Sequence, residues 1–129
     1  MDNERTREMK DNIILEKSLD FAVRIVNLYK YLSTEKRENV ISKQVLRSGT
    51  SIGANIREAS QGQSKADFTA KMSIALKEAT ETEYWLELLV RTEYLNASEY
   101  ESIQQDCSEL AKMLTSIVKT SRESKKKVL

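Results

Sequence analysis

From Phe68 to Leu89, the residues Phe68, Met72, Ala75, Ala79, Thr82, Leu86 and Leu89 follow one another at alternating spacings of four and three. Six unbroken intervals of that kind place all seven on one face of an α-helix, and no period-two strand accommodates them. A helix carrying so long an apolar stripe must bury it against other helices or against a sheet. The sheet is excluded by what the chain lacks. Its 129 residues contain no Pro and only 3 Gly, whereas a β-rich domain needs turn residues about every ten positions.

Three further segments have the same character. The first, from about Ile13 to Ser33, repeats Leu15, Leu19, Ala22, Val26 and Tyr29, with Ile25, Leu28 and Leu32 widening the stripe. The second, from about Val40 to Ser60, aligns Ile41, Val45, Ser48, Ile52, Ile56 and Ala59. Gly49 and Gly53 lie one turn apart within it, each costing up to about 1 kcal/mol of helix propensity relative to Ala. Either a neighbouring helix approaches closely there, or the helix breaks at Ser48-Gly49. The fourth carries Tyr100, Ile103, Cys107, Leu110, Leu114, Ile117 and Ser121.

The connections are short. Thr34 to Asn39 is polar. In Gln61-Gly62-Gln63-Ser64, Gly62 suits the left-handed end of one helix and Ser64 the cap of the next. Asn96-Ala97 precedes Ser98-Glu99-Tyr100-Glu101, a capping-box pattern. The expected fold is all-α: one antiparallel up-down-up-down four-helix bundle with helices near 13–35, 39–61, 65–95 and 98–122. A polar arm (1–12) and a basic tail (123–129) complete the single domain, 1–129.

Composition removes much chemistry. With no His there is no imidazole base, no Ser-His or Cys-His nucleophile pair and no His metal ligand. Glu78, Glu81 and Glu83 read as a solvated acidic face, because di-iron bundles pair each Glu with a His. The expectation is a non-enzyme without cofactor or metal. Cys107, the single cysteine, falls on an apolar stripe and reads as a buried structural thiol. The charged N-terminus lacks the apolar run of a signal peptide, and no stretch is apolar enough to span a membrane. A cytoplasmic protein is expected.

The net charge of +1 hides a segregation. Residues 1–77 carry a net +4, residues 78–109 a net −8 and residues 110–129 a net +5. The third helical segment, near 65–95, also holds a second apolar row, Ile74, Tyr84, Leu88 and Leu95, flanked by Trp85 and nearly opposite the first. It suggests self-association through Tyr84, Trp85 and Leu88. The alternative is a central helix touched from both sides.

Ser51-Ile52-Gly53-Ala54-Asn55-Ile56-Arg57-Glu58-Ala59 resembles the signature of the 23S rRNA intervening-sequence proteins, the "four helix bundle protein" family. The match continues in Lys65-Ala66-Asp67-Phe68, Ala75-Leu76-Lys77-Glu78 and Glu81-Thr82-Glu83-Tyr84-Trp85-Leu86, and spans about residues 13–120. Gly53 stands where many relatives have Pro. The resemblance implies an antiparallel four-helix subunit, commonly assembled as a ring-shaped homopentamer, from genes first noticed inside insertions of bacterial 23S rRNA genes. A related branch, the accessory variability proteins of diversity-generating retroelements, binds a reverse transcriptase and nucleic acid.

Two sets of residues could carry function. Asn55 and Glu58 share a helix face near the apolar seam. With Glu78 of the family motif they form either a binding site or a polar network that fixes register, Glu58 then meeting Arg57 or a lysine of a neighbouring helix. Lys119, Arg122, Lys125, Lys126 and Lys127 form a basic C-terminus suited to phosphates or simply to offsetting a helix dipole. Two functions follow as expectations: an oligomeric adaptor for RNA, DNA or a nucleic-acid enzyme, or a structural or protein-partner module without nucleic acid.

Overall fold

The computed structural model describes the backbone of residues 3–127 and the side chains of residues 12–123. Four helices, α1 (Asn3–Thr34), α2 (Ile41–Ser60), α3 (Lys65–Arg91) and α4 (Ala97–Lys127), account for nearly all of it, and no strand occurs among the described residues. Cross-helix partners fix the directions. Gly49 and Gly53 face Ile25 and Ser18; Glu58 and Ser48 face Lys71 and Thr82; Thr69 and Ala79 face Ser121 and Cys107. In every pair one number rises as the other falls, so sequential helices are antiparallel. The bundle runs α1–α2–α3–α4 in order, with α1 and α4 closing it loosely.

The expected stripes of α2, α3 and α4 form the core. Val45, Ile52 and Ile56 meet Met72, Ala75, Ala79, Leu86 and Leu89, with Ile103, Cys107, Leu110 and Leu114 behind them, all buried. Fully burying each large aliphatic contributes about 1.5–3 kcal/mol. The α2 helix is continuous through Ser48-Gly49. The two glycines accept α1: a Cβ on Gly49 would lie 2.7 Å from Ile25 Cγ1, and one on Gly53 would lie 3.3 Å from the Ser18 carbonyl oxygen. Buried hydroxyls are satisfied across a seam, with Ser48 Oγ and Thr82 Oγ1 2.9 Å apart.

The phase of α1 differs from the expected one. Its buried row is Ile14, Ser18, Phe21, Ile25 and Leu32, whereas Leu19 is 47% exposed. Both rows are apolar, and the buried one contains Ser18, which strict apolar counting rejects. Ser18 is admitted because its hydroxyl donates to the Leu15 carbonyl at 3.0 Å and its small size lets Gly53 approach.

Helix ends also shift. The backbone is helical from Asn3 and as far as Lys127, into both expected terminal extensions. The reciprocal capping box is Asn96 with Glu99, not Ser98 with Glu101: Glu99 N donates to Asn96 Oδ1 at 2.8 Å and Asn96 N to Glu99 Oε1 at 2.9 Å. Ser64 caps α3 by accepting from Asp67 N. Gly62 does not adopt a positive φ; among the described residues the left-handed ones are Arg37 and Glu93, in the first and last connections. The turn at Glu93 ends α3 early and folds Leu95 back into the core at 4% exposure, so Leu95 leaves the outer row.

The first connection holds a feature that its polar composition conceals. Glu38 is buried, and its carboxylate accepts from the backbone N–H groups of Val40, Ile41 and Ser42 at 3.1, 3.0 and 2.7 Å. Burial pushes this carboxyl up, but the combined N–H groups of Ile41, Ser42 and Val40 outweigh it and hold it below its ordinary range. A fixed anion thus caps α2 from two residues before its N-cap.

Candidate nucleic-acid interface

The basic residues of α4 sit on its outer side. Lys112, Lys119 and Arg122, spaced by seven and three, lie off the buried row of Cys107, Leu110, Leu114, Val118 and Ser121, the two lysines on the far side of the helix and Arg122 at the flank against α3, and all three are exposed. Lys112 escapes a reading that starts at the tail, although its seven-residue offset from Lys119 is the signal. The last turns of α4 are fastened to α3: Ser121 Oγ pairs with Thr69 Oγ1, and Arg122 Nη2 donates to Ser73 Oγ at 3.4 Å. The candidate cations Lys119 and Arg122 therefore project from a docked helix. The side chains of Lys125, Lys126 and Lys127 lie outside the described residues.

The α3–α4 hairpin sets the electrostatics. Residues 78–109, with their net −8, occupy the second half of α3, the last connection and the first half of α4. Glu101 and Lys119 are separated by about 27 Å at 1.5 Å per helical residue. That is several Debye lengths at physiological salt. The nearer end of the acidic stretch, Glu109, stands three residues from Lys112 and about 15 Å along the helix from Lys119, so the separation holds for Lys119 and Arg122 and not for Lys112.

Asn55, Glu58 and Glu78 do not form one network. Asn55 Nδ2 donates to the Ser51 carbonyl on its own helix at 2.8 Å. Glu58 is exposed and pairs with Lys71 of α3 at 3.3 Å. Glu78 pairs with Arg47 at 3.3 Å, and the same guanidinium holds Glu81. Each polar residue is satisfied by a different partner because the motif residues face different neighbours; the separate ties all join α2 to α3 or close within α2. Arg47, which no motif flagged, is the organising cation.

The outer face of α3 divides. Tyr84 is 60% exposed, and Leu88 is half-buried. Trp85 leans back on the core and donates Nε1–H to Glu81 Oε2 at 2.9 Å. The Tyr84 and Trp85 rings meet edge-on, 5.0 Å between centroids. Cys107 is buried, its thiol pushed up to about 12 by burial and then by Glu83 and Asp106. A thiol so protonated is a poor nucleophile. No described helix is long and apolar enough to cross a membrane.

Comparison with known proteins bears on this geometry. No curated protein matches the chain. A crystal structure of a protein of unknown function from the S23 ribosomal protein family of Bacteroides thetaiotaomicron VPI-5482 is 67% identical, with a TM-score of 0.84. The match covers 85% of this chain and 98% of that one. The family model for the 23S rRNA-intervening sequence protein matches residues 10–116. Residues and fold agree on one assignment: the chain belongs to the 23S rRNA-intervening sequence protein family.

Proposed function

We propose that this protein is a non-catalytic, self-associating cytoplasmic adaptor that engages RNA or DNA through phosphates at the basic end of α4. One observation carries the reading: Lys119 and Arg122 are exposed on a docked stretch of α4, beyond the acidic half of the hairpin. The family's association with 23S rRNA intervening sequences supports a nucleic-acid partner. The accessory variability proteins, a branch related to the family, add a nucleic-acid enzyme as a partner class. Self-association runs through Tyr84, Trp85 and Leu88, with five copies suggested by the resemblance and two as the simpler arrangement. Gathering the α4 ends in one assembly makes weak patches act together.

The contacts are phosphate-directed and weakly sequence-specific, since aromatic rings do not interleave the basic residues to stack bases. Anisotropy of labelled single-stranded RNA and duplex DNA at two salt concentrations tests this. Two neutralised phosphates per subunit give a slope of about −1.8 in log K against log salt on duplex DNA. The double variant Lys119→Glu, Arg122→Glu flattens that slope. No binding by the intact oligomer at low salt, or binding indifferent to both salt and substitution, favours the protein-partner reading, for which the exposed Tyr84 face is the observation. Light scattering tests the assembly: Leu88→Glu lowers the mass of an oligomeric wild type.

A further inference from the structure

The basic site on α4 continues onto α3. Cys107 meets Ala79 and Arg122 meets Ser73, so the first half of α3 runs antiparallel beside the second half of α4. Along this seam α3 exposes Lys77 and Thr80, and α4 exposes Lys112, Thr115 and Lys119. Ser73, Lys77 and Thr80 follow at spacings of four and three, and Lys112, Thr115 and Lys119 at three and four, so each set lies on one flank of its helix. None of the three lysines forms an ion pair among the described residues. From Thr69 to Thr80 and from Lys112 to Arg122 the one carboxylate is Glu78, which turns to Arg47 of α2. Glu109, just beyond, is held by Lys17 of α1.

The hydroxyls between the lysines have a fixed polarity. Thr80 Oγ1 donates its proton to the Leu76 carbonyl at 3.1 Å, and Thr115 Oγ1 to the Ala111 carbonyl at 2.8 Å. Both residues are exposed, so what they offer outward is a lone pair. A phosphate oxygen is itself an acceptor and gains nothing from it. A ribose 2′-hydroxyl can donate to it, and DNA has none. Two packed helices, with axes about 8–10 Å apart, make a face about 20 Å wide, more than the roughly 12 Å of the B-DNA major groove admits. The minor groove of A-form RNA is wide and shallow, and it displays 2′-hydroxyls between two phosphate rows.

We infer that the α3–α4 face binds double-stranded RNA across its minor groove. Lys77 of α3 meets one phosphate row, Lys119 of α4 meets the other, and Thr80 and Thr115 accept from 2′-hydroxyls between them. The inference rests on the phosphate binding proposed above and names its substrate class and its second helix.

Anisotropy of a labelled RNA duplex tests it, in competition with a DNA duplex of the same sequence, the 2′-O-methyl RNA duplex and the single RNA strand, with circular dichroism checking that each variant stays helical. The RNA duplex is expected to bind about tenfold more tightly than either other duplex, two hydrogen bonds being at stake. Thr80→Val combined with Thr115→Val abolishes that preference and keeps the salt slope, whereas Lys77→Ala lowers the slope by about one. Equal binding of the three duplexes, or a single strand that competes as well as the RNA duplex, overturns double-stranded RNA as the ligand and leaves the phosphate reading standing. A slope that Lys119→Ala lowers and Lys77→Ala leaves unchanged overturns the part given to α3. No binding of any of these nucleic acids at low salt overturns the phosphate reading itself and this inference with it.

Discussion

Substituting Gly49 by Ala sets two quantified effects against each other. Ala removes a helix penalty of about 1 kcal/mol. Its Cβ, however, would lie 2.7 and 2.9 Å from Ile25 Cγ1 and Cγ2, the atoms nearest the stiff branch point. Ile25 is 0% exposed, so neither atom can yield without moving α1. Overpacking of this kind costs about 1–3 kcal/mol, and with a clash below any normal contact the upper half of that range applies. The net expectation is a destabilisation of about 1–2 kcal/mol, a large share of the roughly 5–15 kcal/mol that holds a domain folded. Gly53→Ala meets only 3.3 Å contacts with Ser18 and should be near neutral. Urea unfolding followed by circular dichroism, at one fixed protein concentration, measures both. In an Ile25→Ala background the space around the new methyl opens, and Gly49→Ala should become stabilising by up to about 1 kcal/mol. An equal cost in both backgrounds, or a single variant as stable as wild type, would refute close packing as the reason for Gly49.

Glu38→Gln should cost about 1–2 kcal/mol near neutral pH by weakening the α2 cap. Because the folded carboxyl titrates below its unfolded value, its contribution is fully present above the unfolded pKa and is lost as pH falls through the folded one. Wild type and variant should therefore converge in urea midpoint on acidification; a gap independent of pH would remove the charge from the explanation. Cys107, buried and pushed up to about 12, should resist a thiol-reactive maleimide in the native state and react fully in denaturant. Rapid native labelling, monitored by mass spectrometry, would contradict its placement.

Legibility from sequence followed how many apolar faces each helix has. In α2 and α4 one stripe dominates, so periodicity and burial largely coincide, although α4 buries Val118 and leaves the expected Ile117 half-buried, and in α3 the inner row is the regular one. In α1 two rows compete, and the choice between them depends on Ser18 meeting Gly53, a contact between residues 35 positions apart. The capping box of α4 was ambiguous for a local reason: Asn96-x-x-Glu99 and Ser98-x-x-Glu101 satisfy the same pattern. The Glu38 cap carries no local pattern at all, since its carboxylate reaches forward only after Arg37 turns the chain left-handed. At the interface, the basic character of α4 could be read from composition. Its fastening to α3 through Ser121 and Ser73 required the fold.

The loose closure between α1 and α4 has a kinetic consequence. The tighter pairings, α1 with α2, α2 with α3 and α3 with α4, all join neighbours in the chain. The one pairing between remote segments is the slightest, a groove of about 220 Å³ floored by Phe21 and Leu110 and spanned by Lys17–Glu109 and Arg24–Asp106. Little loop entropy must be lost before contacts reward it, so the subunit has the low contact order of chains that fold in microseconds to milliseconds. Each hairpin needs only its own two helices, whereas the ionic latch between the first helix and the last needs the whole chain.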